Sequence, residues 1–200
     1  MSLRLSYTLL APFYDLVAGP AFAKAREKSL CLLPRGSPCN VLLSGIGTGL
    51  DLPYLPTCHH YTGLDITHAM LQRAIPRAAG LGISWVQGDS QALPFKNACF
   101  DHAVLHLILA VVPDAAKALQ ETARTLKAGG TILIFDKFLR PGAQAPLRRL
   151  LSPLAAGIAT RTDVVFEEAL QKVSGLQVTN DEAALAGGWF RFIRLQKRSA

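Results

Sequence analysis

A glycine-rich turn, Gly45-Ile46-Gly47-Thr48-Gly49, comes directly after the apolar run Val41-Leu42-Leu43. Glycines at such a turn let the chain bend tightly and approach a ligand with no Cβ in the way. A helix opening after the turn offers free N–H groups to a carboxylate or phosphate. The spacing argues against a dinucleotide fold, which wants G-x-G-x-x-G, because the third glycine comes one residue early. An ordinary strand-to-helix turn also produces G-x-G-x-G, so the loop gains meaning only from the residues downstream of it.

Short apolar runs alternate with helical patterns along the rest of the chain. Strands are predicted at Val41–Leu43, Tyr61–Leu64, Ile83–Val86, Phe100–Leu107 and Thr131–Phe135. Helices are predicted over 12–33 (with a break at Gly19-Pro20), at 50–56, over 67–79 and over 114–127, the last ended by Gly129-Gly130. The stripe of the first helix runs Phe13, Leu16, Val17, Phe22, Arg26, Leu30. This alternation predicts parallel βαβ units in a doubly wound α/β sheet with helices on both faces. The tail differs. A helix is predicted over 164–173, and Leu176–Thr179 and Phe190–Leu195 around Gly187-Gly188 predict a closing antiparallel hairpin.

The chain has 200 residues, half of them hydrophobic and 18% charged, which predicts one globular domain. No apolar run reaches the roughly 20 residues that span a bilayer. Arg4, the apolar stretch after it and Ala21-Phe22-Ala23 imitate a secretory leader, but Pro12 and Asp15 interrupt the stretch. Cys31, Cys39, Cys58 and Cys99 have no metal-ligand spacing and are expected to be reduced in a cytoplasmic protein. His59-His60 is expected to be a surface turn, and no metal site is expected. The net charge of +7 favours an anionic partner without choosing among membrane, nucleic acid and acidic small molecule.

Two acids give the loop its context. Asp65 ends the second strand, twenty residues after Gly45, where a carboxylate can accept both hydroxyls of an adenosine ribose or, instead, cap the next helix in competition with Thr67. Asp89, in Gly88-Asp89-Ser90, is placed to accept from an adenine amino group, or to serve as a turn residue. With the loop, these motifs resemble class I methyltransferases. Val41 to Gly49 resembles their first motif, Thr62 to Leu71 the second, and Gly88-Asp89 with Leu93-Pro94-Phe95 and Phe100-Asp101 the third. Val112-Pro113-Asp114 and Leu126-Lys127-Ala128-Gly129-Gly130 match the approach to the fifth strand. An early Tyr14-Asp15 resembles the quinone-biosynthesis and phospholipid N-methyltransferase-like subgroup.

The resemblance implies a Rossmann-like fold and S-adenosyl-L-methionine as cofactor, with S-adenosyl-L-homocysteine as product. It implies cofactor contacts at Gly45, Gly47, Gly49, Asp51, Asp65, Ile66, Asp89 and Ser90. It also implies a helical cap over 1–38, a cofactor core over 39–138 and a substrate lid within 139–165. The family usually carries an acid two residues before the first glycine, holding the methionyl end of the cofactor, and here that position is Leu43. Asp51 offers a replacement charge, or favours a helix N-terminus, and Ser44 offers a hydrogen bond. His106, near the end of the fourth strand, is the candidate base, or else a buried histidine bonded to backbone. His102 is expected to be structural. Tyr14, Asp136 and Lys137 are candidate substrate contacts, or else Asp136 and Lys137 pair with each other and Tyr14 is a core aromatic. The expected acceptor is a small molecule or lipid, and Arg140, Arg148, Arg149 and Arg161 around an apolar stretch suggest contact with a membrane surface. An RNA or protein methyltransferase and an idle cofactor-binding regulator are the alternatives; no RNA-binding module is visible.

Overall fold

The computed structural model describes residues 21–139 and 164–199. The first described element is a helix running through residue 30 (α1). It is followed by β1 (Asn40–Ser44), β2 (His60–Asp65), α2 (His68–Ala74), β3 (Gly82–Gln87), β4 (Phe100–His106), α3 (Ala115–Thr125) and β5 (Leu126–Lys137). The chain closes with α4 (Phe166–Gln171), β6 (Leu176–Leu185) and β7 (Phe190–Lys197). One seven-stranded sheet has the order β3-β2-β1-β4-β5-β7-β6. β1 to β5 are mutually parallel, while β7 runs antiparallel to both β5 and β6.

Both faces of the sheet are covered, which is why its central strands are apolar without alternation. Leu42, Ala103, Leu105, Ile132 and Ile134 face α3 and α4, against Leu119 and Phe166. Val41, Leu43, Val104 and Leu133 face the other way, against Leu30 of α1 and Leu71 and Ala74 of α2. A third, aromatic cluster joins Phe22 of α1 to Phe135 near the carboxyl end of β5 and to Phe190 and Phe192 of β7.

Three predicted boundaries move. The helix predicted over 67–79 is α-helical only to Ala74 and then narrows to a 3₁₀ turn, Ile75–Ala78, because Pro76 has no N–H to continue the ladder. Gly129-Gly130 does not end α3. The helix stops at Thr125, and the glycines lie inside β5, where Gly129 has φ +75° and a Cβ on Gly130 would sit 2.7 Å from the Asp101 carbonyl oxygen. The pair therefore provides a bend and a close strand contact. β6 extends to Leu185, well past Thr179, because main-chain pairing to β7 carries an exposed edge strand through Asn180-Asp181-Glu182. The predicted lid residues 140–163 and their arginines lie outside the described residues, as does Tyr14.

Candidate functional site

β1 pairs with β2 on one side and β4 on the other, so the chain's direction of travel across the sheet reverses there. In open α/β sheets the crevice at such a switch point, beyond the carboxyl ends of the strands, is where ligands bind. The glycine loop sits at this point. Gly45, Gly47 and Gly49 have φ of +73°, +56° and +81°, a region that side-chain-bearing residues rarely enter. The three differ in surroundings. A Cβ on Gly45 would meet Ile108 at 2.5 Å, and one on Gly49 would meet Leu52 and Ala74 at 2.8 and 2.9 Å. A Cβ on Gly47 would meet nothing within 4 Å. Packing thus demands the outer glycines, while the middle one borders open space.

Asp65 is buried and turned onto the loop. Its Oδ2 accepts from the Gly47 N–H at 2.9 Å, and its Oδ1 accepts from the N–H and hydroxyl of Thr67 at 2.9 and 3.0 Å. Burial pushes the carboxyl up from its ordinary value, and these donors pull it back. The cap position of α2 is held by Thr67, so Asp65 is not the cap residue itself. Ile66 beside it leaves a large apolar side chain exposed. The Ser44 hydroxyl donates to Ser90 Oγ at 2.9 Å, tying the end of β1 to the loop after β3. In that loop Asp89 accepts from the Gln91 N–H at 2.8 Å, an Asx turn that fixes its direction. The Arg77 guanidinium holds the Thr48 carbonyl.

Beyond the loop lies a buried polar chain. Asp51 Oδ1 accepts from Arg26 of α1 at 2.6 Å and from His106 Nδ1 at 2.9 Å, and His106 Nε2 faces the Ser29 hydroxyl at 2.9 Å. Burial acts to raise the Asp51 carboxyl, but His106 and Arg26 outweigh it and hold Asp51 well below the usual carboxylate range. Ionised Asp51 accepts from an Nδ1–H, which leaves the Nε2 lone pair to accept from Ser29. His106 is thus engaged at both ring nitrogens, with its side chain 1% exposed and its ring edge-on to Phe135. His102 bonds Thr131.

Asp136 and Lys137 end β5 on the same rim. Asp136 is fully buried, and its two oxygens accept from the N–H groups of Ala110 and Lys137 at 3.1 and 2.8 Å, pinning the segment after β4. Burial pushes its carboxyl up to about 6. A carboxyl raised on folding contributes stability that is present below its unfolded value near 4 and is lost as pH rises through 6. Relative to Asp136→Asn, the wild type is therefore expected to lose about 2–3 kcal/mol between pH 4 and pH 7, read by urea unfolding at both. Burial also lowers the Lys137 ammonium against the pull of Asp136, and the Nζ lies 5.9 Å from the Trp189 ring centroid. Leu107, between His106 and Ile108, has φ +55°.

The structure brings together at one crevice Gly45, Gly47, Gly49, Asp51, Asp65 and His106. Ser44, expected to supply a hydrogen bond, joins them, as do Arg26 and Ser29, which did not stand among the predicted site residues. A signal existed for Arg26: a charged residue on the apolar stripe of a helix, four after Phe22 and four before Leu30, announces a buried ion pair. Ser29 carried none. His59 corrects the surface-turn expectation, being buried and bonded to the Pro34 carbonyl and the Cys39 N–H. Among the described residues no group of three or more His, Cys, Asp or Glu could hold a metal ion, the cysteines are free, and no helix is long and apolar enough to cross a membrane.

The fold defines the class as a Rossmann-like α/β protein whose strand order reverses at β1, between β2 and β4. A family model described as "Methyltransferase domain" matches residues 42–134. Phosphatidylethanolamine N-methyltransferase of Cereibacter sphaeroides is 31% identical over 92% of this chain and 93% of its own length. A ubiquinone/menaquinone biosynthesis C-methyltransferase of Desulfotalea psychrophila is 39% identical over 38% of this chain and 30% of its own. Among solved structures, a chain of the complex between the Haloferax volcanii Trm112 methyltransferase activator and a methyltransferase superposes with TM-score 0.79 at 18% identity, covering 100% of this chain and 99% of that one. A SAM-dependent methyltransferase of Thermotoga maritima does so with TM-score 0.72 at 19% identity, over 98% and 100%. The chain belongs to the S-adenosylmethionine-dependent methyltransferase family, and its cofactor is S-adenosylmethionine.

Proposed function

We propose that the enzyme methylates a small-molecule or lipid acceptor held over the carboxyl ends of β4 and β5. The observation that carries this reading is the aromatic wall at that end of the crevice. Phe22 packs 5.7 Å from Phe135 and 5.1 Å from Phe190, with Phe22, Leu107, Leu185 and Phe190 only partly buried. An apolar, ring-lined wall suits an acyl chain or aromatic ring, and ring faces also attract a methylated ammonium. The near full-length similarity to a phosphatidylethanolamine N-methyltransferase supports the same reading.

S-adenosylmethionine, when bound, would supply a methyl activated by its sulfonium, for an acceptor to take in line as the carbon–sulfur bond breaks and S-adenosylhomocysteine leaves. The residues fit that group. Gly47 borders free space, and in this reading the buried Asp65 carboxylate would take the ribose hydroxyls beside the exposed apolar Ile66, with Asp89 and Ser90 serving the adenine. The protein's work is then positioning and exclusion of water. The general-base role expected of His106 requires its Nε2 to exchange Ser29 for an acceptor proton.

Calorimetry is expected to show binding of S-adenosylhomocysteine, weakened about 10-fold in Asp65→Ala, the usual loss for bonds to a charged group. Unchanged affinity would remove Asp65 from the site. Turnover with S-adenosylmethionine on phosphatidylethanolamine vesicles, a demethylated quinol, a thiol and RNA is expected on the lipid or quinol. Methylation of RNA alone would overturn the acceptor class.

A further inference from the structure

We propose that Arg26 and Ser29 of α1, acting through Asp51 and His106, are positioning residues for the methionyl end of the cofactor. The carboxylate expected at position 43 has in effect been moved to position 51. This rests on the cofactor site proposed above.

The strand order gives the direction. Adenosine contacts at Asp89 and Asp65 lie at the ends of β3 and β2, so the rest of the cofactor runs past the glycine loop of β1 toward β4. His106 ends β4, and Asp51 comes two residues after Gly49. The chain Arg26–Asp51–His106–Ser29 therefore stands at the methionyl side of the loop.

Leu43 shows why the acid is not where the family puts it. Its side chain packs in the same cluster as Leu30 and Leu33, at and just beyond the end of α1. A carboxylate there would be buried among these apolar side chains, and burying a charge in such surroundings is strongly unfavourable. Position 51 lies against the same helix, where Arg26 neutralises a carboxylate and His106 donates a second bond. Asp51 commits its Oδ1 to these two donors. It therefore acts on the cofactor by seating α1 and orienting His106 rather than through a free charge.

The test uses two ligands that differ at this end alone. S-adenosylhomocysteine carries the amino acid moiety, and 5′-methylthioadenosine keeps adenosine and sulfur but lacks it. Calorimetry is expected to show Ser29→Ala binding S-adenosylhomocysteine about 5- to 10-fold more weakly, the range of one lost hydrogen bond. Methylthioadenosine affinity should stay within about twofold of wild type. Arg26→Met should give a larger loss of the same selectivity, and Arg26→Lys, which keeps the charge, should recover part of it. Ser29→Ala retains the ion pair and keeps the test open if Arg26→Met fails to fold. Equal weakening of both ligands, or of neither, would overturn the inference. If wild type bound neither ligand, the cofactor site itself would fall, and this inference with it.

Discussion

Asp51→Ala is expected to lower the unfolding free energy by about 3–5 kcal/mol at neutral pH, the loss typical of removing one partner from a buried ion pair. The side chains of Arg26 and Asp51 are 6% and 9% exposed. A guanidinium cannot shed its charge by losing a proton, so removing Asp51 takes a carboxylate away from a full charge buried beneath α1. His106 loses its Nδ1 acceptor at the same time. The double variant Arg26→Met/Asp51→Leu should recover much of the loss, because two apolar side chains of similar size replace the pair without leaving a charge behind. Urea unfolding followed by circular dichroism reads both. A double variant no more stable than Asp51→Ala would show that the lost Arg26–Asp51 pairing is not the cause. The pH dependence has a definite sign. A carboxyl held below its ordinary value contributes stability that is present above about pH 4 and fades as acid protonates it. The contribution of Asp51 therefore grows on leaving acid, whereas that of Asp136 shrinks between pH 4 and 6.

The glycine loop carries the second large effect, split between stability and binding. Gly49→Ala forces a side chain into the left-handed region and drives a Cβ to 3.0 Å from the Ala74 Cα, which as backbone has little room to give. Left-handed strain and overpacking together are expected to remove about 2–4 kcal/mol of stability. Gly47→Ala meets only the first penalty, about 1–2 kcal/mol, since nothing lies within 4 Å of its Cβ. Its effect should appear in binding, as a loss of about 10- to 100-fold in S-adenosylhomocysteine affinity if the cofactor uses that space. Thermal unfolding and calorimetry on the two variants separate these outcomes. A folded Gly47→Ala protein with unchanged affinity would place the cofactor elsewhere.

Much of the architecture was legible because the local signals agreed. β1 to β5, α2 and α3 came from apolar runs and helical spacing, and the turn after β1 came from its glycines, while the helix predicted at 50–56 is only a 3₁₀ turn, Leu52–Tyr54. The misreadings have local causes. Gly129-Gly130 looked like a helix stop because a glycine pair means the same thing in one dimension whether it ends a helix or bends a strand. The Asp101 carbonyl that presses on Gly130 is 29 residues away. β6 was cut short because an exposed edge strand has no apolar face to alternate, and its length is set by pairing with β7. There Arg191 binds both Asp181 and Glu167.

By itself the sequence determined the order of elements and the glycine turn after β1, and Asp65 and Asp89 in step with that turn pointed to a nucleoside cofactor. Those are properties of spacing along the chain. Tertiary structure alone decided how the buried charges pair. Arg26 and Asp51 stand 25 residues apart, and Ser29 and His106 stand 77 apart. A buried ion needs a partner in space, and nothing in a one-dimensional pattern records which partner that is. The turn that constrained the fold from the outset is thus one wall of the site. The other wall is a helix whose arginine and serine become meaningful once α1 is laid against β4.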